Sequence, residues 1–259
     1  SSIVWGHHMY TTGMSPLLGK AFMFLTLLIS IPSSIFFLNW LGTLWRGNLH
    51  FETPMLFAMA VLWVFGLGGL TGLYNATVTS DIYLHDTMFV VGHFHYTMAA
   101  SVLFGGLAAI YFWFPKMFGK KMNPLLGKLH FWISFIPLNY VFFNMMVLGY
   151  AGQHRRLYDP NEYEFLAPIN DLNISITFFA MVLGFSQLIF AYNFINSMIN
   201  GEKAEANPWK ANTLEWTLEG PIPHGNFATT PTVYNGPHEY SNPAVKDRDW
   251  IAQSEPMPT

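Results

Sequence analysis

Apolar residues fall in five long blocks separated by short polar stretches. A membrane-crossing helix needs roughly 20 mostly apolar residues. Ala21–Trp45, Pro54–Leu73, Met88–Phe114, Leu129–Tyr150 and Ile174–Ile199 each meet that length. Pro54 suits a first helical turn, where its missing N–H leaves nothing unpaired. The pairs Gly68–Gly69 and Gly105–Gly106 let helices approach closely in lipid. A soluble core can imitate one such block, but five in succession predict an all-α polytopic membrane bundle over residues 1–200. Residues 201–259 turn polar and rich in Pro and Gly, and predict an extended tail. The stretch Tyr74–Ser80 reads as a polar loop. No internal repeat is visible.

Charge gives the bundle a direction. Lys116, Lys120, Lys121 and Lys128 lie between the third and fourth blocks, Arg46 between the first and second, and Lys203 and Lys210 after the fifth. Alternation puts all of them on one side, which the positive-inside rule makes cytoplasmic, or matrix in a mitochondrion. The tail then lies on that inner face. Arg155 and Arg156 fall on the opposite side and require a specific partner. Only 10% of the 259 residues are charged and 52% are hydrophobic, well below the charge of a soluble domain. The net charge of −3 gives no reason to expect nucleic acid. With no cysteine, disulfides, zinc ribbons, iron–sulfur clusters and thiol chemistry are excluded. The chain opens at Ser1 without an initiator Met or a signal peptide, and is read as a fragment, a processed product or a split gene product.

Ten histidines remain as the main metal-binding candidates, several of them inside apolar blocks. The third block carries HDTMFVVGHFHYTM. His93 and His95 are two apart, about 200° on an α-helix, so their rings face opposite sides. They suit two separate large cofactors better than one shared ion. The plainer reading is two neutral imidazoles bonded to neighbouring helices, but ionisable groups inside a membrane are usually functional. His7 and His8 in VWGHHMYTTGM are adjacent, about 100° apart. At a loosened helix end both rings reach one metal, and imidazole suits copper, iron and zinc. A polar interfacial pair is the plainer reading there.

VWGHHM, GGLTG at Gly68–Gly72, HDTMFVVGHFHY and GQHRRLYDP occur in that order, followed by NPWKANTLEW and PIPHGNF. Together they resemble subunit I of the heme-copper oxygen reductases, the cytochrome oxidase family, over nearly the whole chain. The resemblance implies that the five helices are the last five of a twelve-helix subunit. It implies that His7 and His8 are two ligands of the active-site copper. His93 would be the proximal ligand of the high-spin heme and His95 a ligand of the low-spin heme, with heme A the expected type. Phe94 would lie between the two, in a packing role or helping to hold the hemes close. His85 and Asp86 match ligands of a magnesium ion on the outer face, although Asp86 also suits a helix N-cap. Arg155 and Arg156 match a pair that contacts heme propionates, which carboxylate–guanidinium chemistry favours. Asp81 matches a position near those propionates, with a solvated loop as the plainer reading.

The implied reaction is the four-electron reduction of oxygen to water by cytochrome c, coupled to proton movement across lipid. The expected membrane is the bacterial plasma membrane rather than the mitochondrial inner membrane. The family's third copper His, cross-linked Tyr and second low-spin axial ligand lie upstream, so a chain with the N-terminal helices is an implied partner. A copper-bearing electron-entry subunit and other oxidase subunits are implied too. A nitric oxide reductase and a structural membrane subunit without redox role are the alternatives. One departure stands out. Many family members carry a lysine in a pattern like IPTGVKVF, and IPSSIFFLNW places Phe36 there. Ser33, Phe36, Trp40 and Thr43 share one helix face. A phenyl ring neither donates nor accepts a proton, so protons would reach the site through Ser34, Asn39, ordered water or the partner half.

Overall fold

The structure is a computed structural model that describes residues 2–239 and 250–256; Ser1, 240–249 and 257–259 lie outside the described residues. Part of the polar tail falls in the second of those gaps. The described residues form a helical bundle with no strand, only two isolated bridges. Five helical spans are long and apolar enough to cross a membrane: Pro16–Leu44, Thr53–Ala76, Met88–Phe118, Pro124–Tyr150 and Glu164–Asn200. Each overlaps one of the five apolar blocks.

The first span is two helices, α1 (Pro16–Leu28) and α2 (Ser30–Leu44), hinged at Ile29. Ser15 caps α1 through its hydroxyl, ahead of Pro16. Pro32 sits in the first turn of α2, where it cannot continue the bonding of the preceding helix. No residue of α2 is buried, as expected of a helix that meets lipid or another chain. α3 (Thr53–Ala76) begins with Pro54 in its first turn and runs further than its apolar block. It takes in Tyr74 and Asn75, and α4 (Val78–Leu84) follows directly. The polar loop expected at Tyr74–Ser80 is therefore helical on both sides of a break at Thr77, because bonds within each helix satisfy the backbone of polar residues as well as that of apolar ones, and hydropathy does not register this.

The third span is composite: α5 (Met88–Phe94), a π-helical segment (His95–Ala100) and α6 (Ser101–Phe118). Gly119, at φ 65°, ends it in the left-handed region. α7 (Pro124–Tyr150) is capped by Asn123, whose side chain accepts from Leu125 N and Leu126 N. α8 (Asn170–Asn200) follows a short 3-10 turn. The core lies where α3, α6 and α7 meet, around Phe57, Phe104, Phe131 and Leu138.

The two ends of the bundle are chemically distinct. At one end Lys121 pairs with Glu205 and Lys128 with Glu52, and Lys120 Nζ donates to the Met198 and Ile199 carbonyls at the end of α8. Lys116 Nζ donates to Ala206 O at 2.7 Å and to Leu218 O, and lies 4.8 Å from the Trp216 ring centre. Trp209 Nε1 donates to Phe112 O at 2.8 Å. The chain after α8 is thus fastened to α6. The opposite end gathers residues 77–87 and 151–156, where Thr87 and His154 form a bridge.

Candidate functional site

His93 and His95 project to different neighbours. His93 faces α3: its Nδ1 lies 2.9 Å from Gly68 O and 3.1 Å from Thr71 Oγ1. His95 Nδ1 lies 2.8 Å from Val91 O, and its ring packs 4.6 Å from both Phe94 and Phe142, on the α7 side. A carbonyl oxygen only accepts, so Nδ1 carries the proton in both rings. Each Nε2 is left with a lone pair, the arrangement by which a second-shell acceptor prepares a metal-ligating imidazole. The GGLTG motif has a physical role here. Gly68 supplies the carbonyl, and at Gly72 a side-chain carbon would crowd His93 Cε1 at 3.0 Å. The π segment begins at His95, and such segments concentrate at functional sites.

His7 and His8 sit in a 3-10 helix, Trp5–Met9. Their Nε2 atoms are 3.0 Å apart. Two imidazole nitrogens each about 2.0 Å from one ion, at about a right angle, lie about 2.8 Å apart. His7 Nδ1 is 3.2 Å from Thr26 Oγ1 on α1, whose own proton goes to Phe22 O at 2.6 Å. His7 Nδ1 is therefore the donor, and its Nε2 carries the lone pair, turned toward His8 Nε2. Burial, then the neighbouring His8 and His93, pushes His7 down to about 4. Burial, then Arg155, lowers His8 as well. Both rings are held neutral, the form a metal needs.

The outer-face carboxylates are already engaged. Asp81 is buried within α4, and its Oδ2 lies 2.7 Å from His85 Nδ1. It is not on a solvated loop, because α4 continues the chain directly from α3. Burial raises the Asp81 pKa. Asp86 Oδ1 accepts from Arg155 Nε at 2.7 Å and from its terminal nitrogen at 2.5 Å. Burial would raise Asp86, but the bond and charge of Arg155 prevail and hold it below the usual carboxylate range. Asp86 does not cap α5. With φ 55° it turns the chain, and Thr87 accepts from Phe89 N instead. Arg156, at φ 67°, is exposed. Electrostatic coupling joins His8 to Arg155, His85, Asp81 and Asp86 at one end of the bundle. Among the described residues no group of three or more His, Asp or Glu is placed to hold a metal ion.

Thr26, Thr71, Gly68 O and Val91 O were not recognisable from sequence as partners of these histidines. Only the GGLTG pattern marked the neighbourhood, and it carried no signal for hydrogen-bonding roles.

The family model "Cytochrome C and Quinol oxidase polypeptide I" matches residues 1–182. The chain belongs to this family. Two relatives in the subunit I family show how far the likeness extends. The alternative cytochrome c oxidase subunit 1 of Bradyrhizobium diazoefficiens is 44% identical over 262 residues, covering 100% of this chain and 44% of that protein. Cytochrome c oxidase subunit 1 of a Synechocystis strain is 44% identical over 240 residues, covering 92% of this chain and 42% of its own length. The chain thus spans less than half the length of these relatives. A solved heme-copper terminal oxidase dimer shares the fold, at TM-score 0.65 and 20% identity over 78% of this chain and 40% of that one. The family is named for cytochrome c and quinol oxidases, and the chain carries five helical spans long and apolar enough to cross a membrane.

Proposed function

We propose that this chain is the ligand-bearing C-terminal half of a terminal oxidase that reduces oxygen to water with electrons from cytochrome c. The observation that carries the reading is the prepared state of four imidazoles. His93 and His95 are each fixed with Nε2 unprotonated on different sides of one helix, and His7 and His8 bring two Nε2 atoms to 3.0 Å. That donor set fits two hemes and one copper. His93 would hold the high-spin heme, His95 the low-spin heme, and His7 with His8 the copper. When bound, these groups supply the electron relay and the oxygen-reducing chemistry. The chain's own contribution is to aim the four rings: backbone carbonyls fix Nδ1 of His93 and His95, and Thr26 fixes Nδ1 of His7 beside His8. Arg155 and Arg156 would meet the heme carboxylates, with Asp81 steadying His85 nearby.

Heme A as the heme type and proton movement across the membrane complete the reading. The relatives are bacterial, which favours a bacterial plasma membrane. The partners would be a chain with the N-terminal helices and a copper-bearing electron-entry subunit. Magnesium is a poorer fit. It takes oxygen ligands in an octahedron, and this chain offers Asp86 Oδ2 and the remaining His85 nitrogen. Completion would fall to water and other chains.

Metal analysis and an optical spectrum of the assembled complex test the reading. We expect two hemes and one copper at this centre, with oxygen consumption. Iron in place of copper, with rapid nitric oxide reduction and no oxygen reduction, would replace it with the nitric oxide reductase alternative. Absence of heme would leave a structural subunit.

A further inference from the structure

Gln153 stands where three segments meet at the outer end of the bundle. Its side chain and that of Asn173 on α8 form a reciprocal amide pair. Gln153 Nε2 donates to Asn173 Oδ1 at 3.2 Å, and Asn173 Nδ2 donates to Gln153 Oε1 at 2.8 Å. Gln153 is only 6% exposed, so its amide must find partners within the protein. The same residue's backbone closes α7 and opens α5. Its N–H donates to Leu148 O at 3.0 Å, and its carbonyl accepts from Met88 N at 2.9 Å. Two residues on, Arg155 N donates to Asp86 O at 2.9 Å while its guanidinium grips the Asp86 carboxylate.

Asp86 and Arg156 are both non-glycine residues in the left-handed region, at φ 55° and 67°. Such conformations persist only where the surroundings hold them. The backbone bonds tie this turn to α5 and α7, and the amide pair ties it to α8. Loosening that tie frees Arg155 to move without removing it.

We infer that Gln153 and Asn173 are positioning residues: their amide pair fixes Arg155 relative to the heme carboxylates and thereby tunes heme potential. The inference rests on the reading of Arg155 given above. Both side-chain amides are spent on each other, so their effect on the heme runs through Arg155. A cation held near a heme disfavours its oxidised state, so a displaced Arg155 lowers the midpoint.

The test is redox titration of both hemes in the assembled enzyme. Gln153→Met keeps the side-chain shape and removes the amide. We expect it to shift a midpoint downward, in the direction of Arg155→Ala but by less. In an Arg155→Ala background Gln153→Met should add nothing. The exchange Gln153→Asn with Asn173→Gln restores an amide pair of the same total length and should return the midpoint toward wild type. If Gln153→Met fails to assemble, Asn173→Ala at its less buried position answers the same question. Wild-type midpoints in these amide variants, with a shifted Arg155→Ala, overturn the inference alone. Unmoved midpoints in Arg155→Ala overturn the reading of Arg155, and the positioning role with it.

Discussion

His93 and His130 both lie within membrane-spanning helices, yet their surroundings prepare them for different lives. His93 keeps some exposed surface and rests its Nδ1 on the Gly68 carbonyl at 2.9 Å. His130 on α7 has no exposed surface and shares its Nδ1 with the Tyr111 hydroxyl at 3.2 Å. Its ring centre lies 5.2 Å from that of Phe57 and 5.4 Å from that of Phe190, and its Nε2 has no hydrogen-bond partner among the described residues. A carbonyl fixes one tautomer, whereas a hydroxyl can donate or accept and fixes none. His130 has no open side, whereas His93 and His95 each keep part of their surface exposed. Burial in an apolar helix thus does not make a ligand. The ligand role proposed for His93 adds an obligate acceptor on Nδ1 and a side chain that is not wholly enclosed.

The strongest way to break this distinction is to remove the rings. His93→Ala should abolish the high-spin heme and His95→Ala the low-spin heme, each leaving the other in place. Heme quantitation and spectra of each assembled variant check it, and loss of the same heme from both would contradict the opposite-face assignment. His130→Leu should keep both hemes. Interhelical polar contacts in membranes average about 0.6 kcal/mol, so stability should change by no more than about 1 kcal/mol, measurable in thermal unfolding of the complex. Loss of either heme from His130→Leu would erase the distinction.

The smallest effect is expected at Phe36. Its ring packs 5.0 Å from Trp40 and 5.9 Å from Phe65, while the Ser33 and Thr43 hydroxyls bond back to Ile29 O and Asn39 O of their own helix. The ring on that face makes only packing contacts, to its own helix and to α3. Phe36→Leu should leave oxygen consumption near normal and cost about 1 kcal/mol of ring packing. A large fall in turnover would give this ring a role that its contacts do not supply.

The five spans were legible because roughly 20 apolar residues in a row have few other uses. Their breaks were not. The hinge at Ile29, the helical stretch over Tyr74–Ser80 and the π segment all depend on backbone bonding and packing, which hydropathy does not encode. At the site, the residue types and the opposite faces of His93 and His95 could be read directly. Their partners could not, because Gly68 O and Val91 O are backbone groups that every sequence possesses. Arg155 was legible as a charge on the wrong side, but its grip on Asp86 joins positions 69 apart in the chain. His130 was invisible as a separate case, since one His in an apolar run looks like another until its cage is seen.

The π segment leaves its mark on the spacing of the residues it turns inward. Along the third span the buried positions run Gly92, Tyr96, Ala100 and Phe104, four apart, then Leu107, Tyr111 and Phe114, three or four apart. On a regular helix each step of four overshoots a full circle by about 40°, so the first three steps alone would swing the inward stripe through about a third of a turn. The wider π coil absorbs that drift. It works as a phase adjuster between two halves of one rod: the upper half is clocked to present imidazoles to two different walls, and the lower half is clocked to fill the core. Forcing His95–Ala100 into a regular helix without removing a residue would leave every side chain chemically intact, yet rotate the two halves by about 100° relative to each other, whereas deleting one of the residues Tyr96–Ala100 would close the helix with the present phase kept.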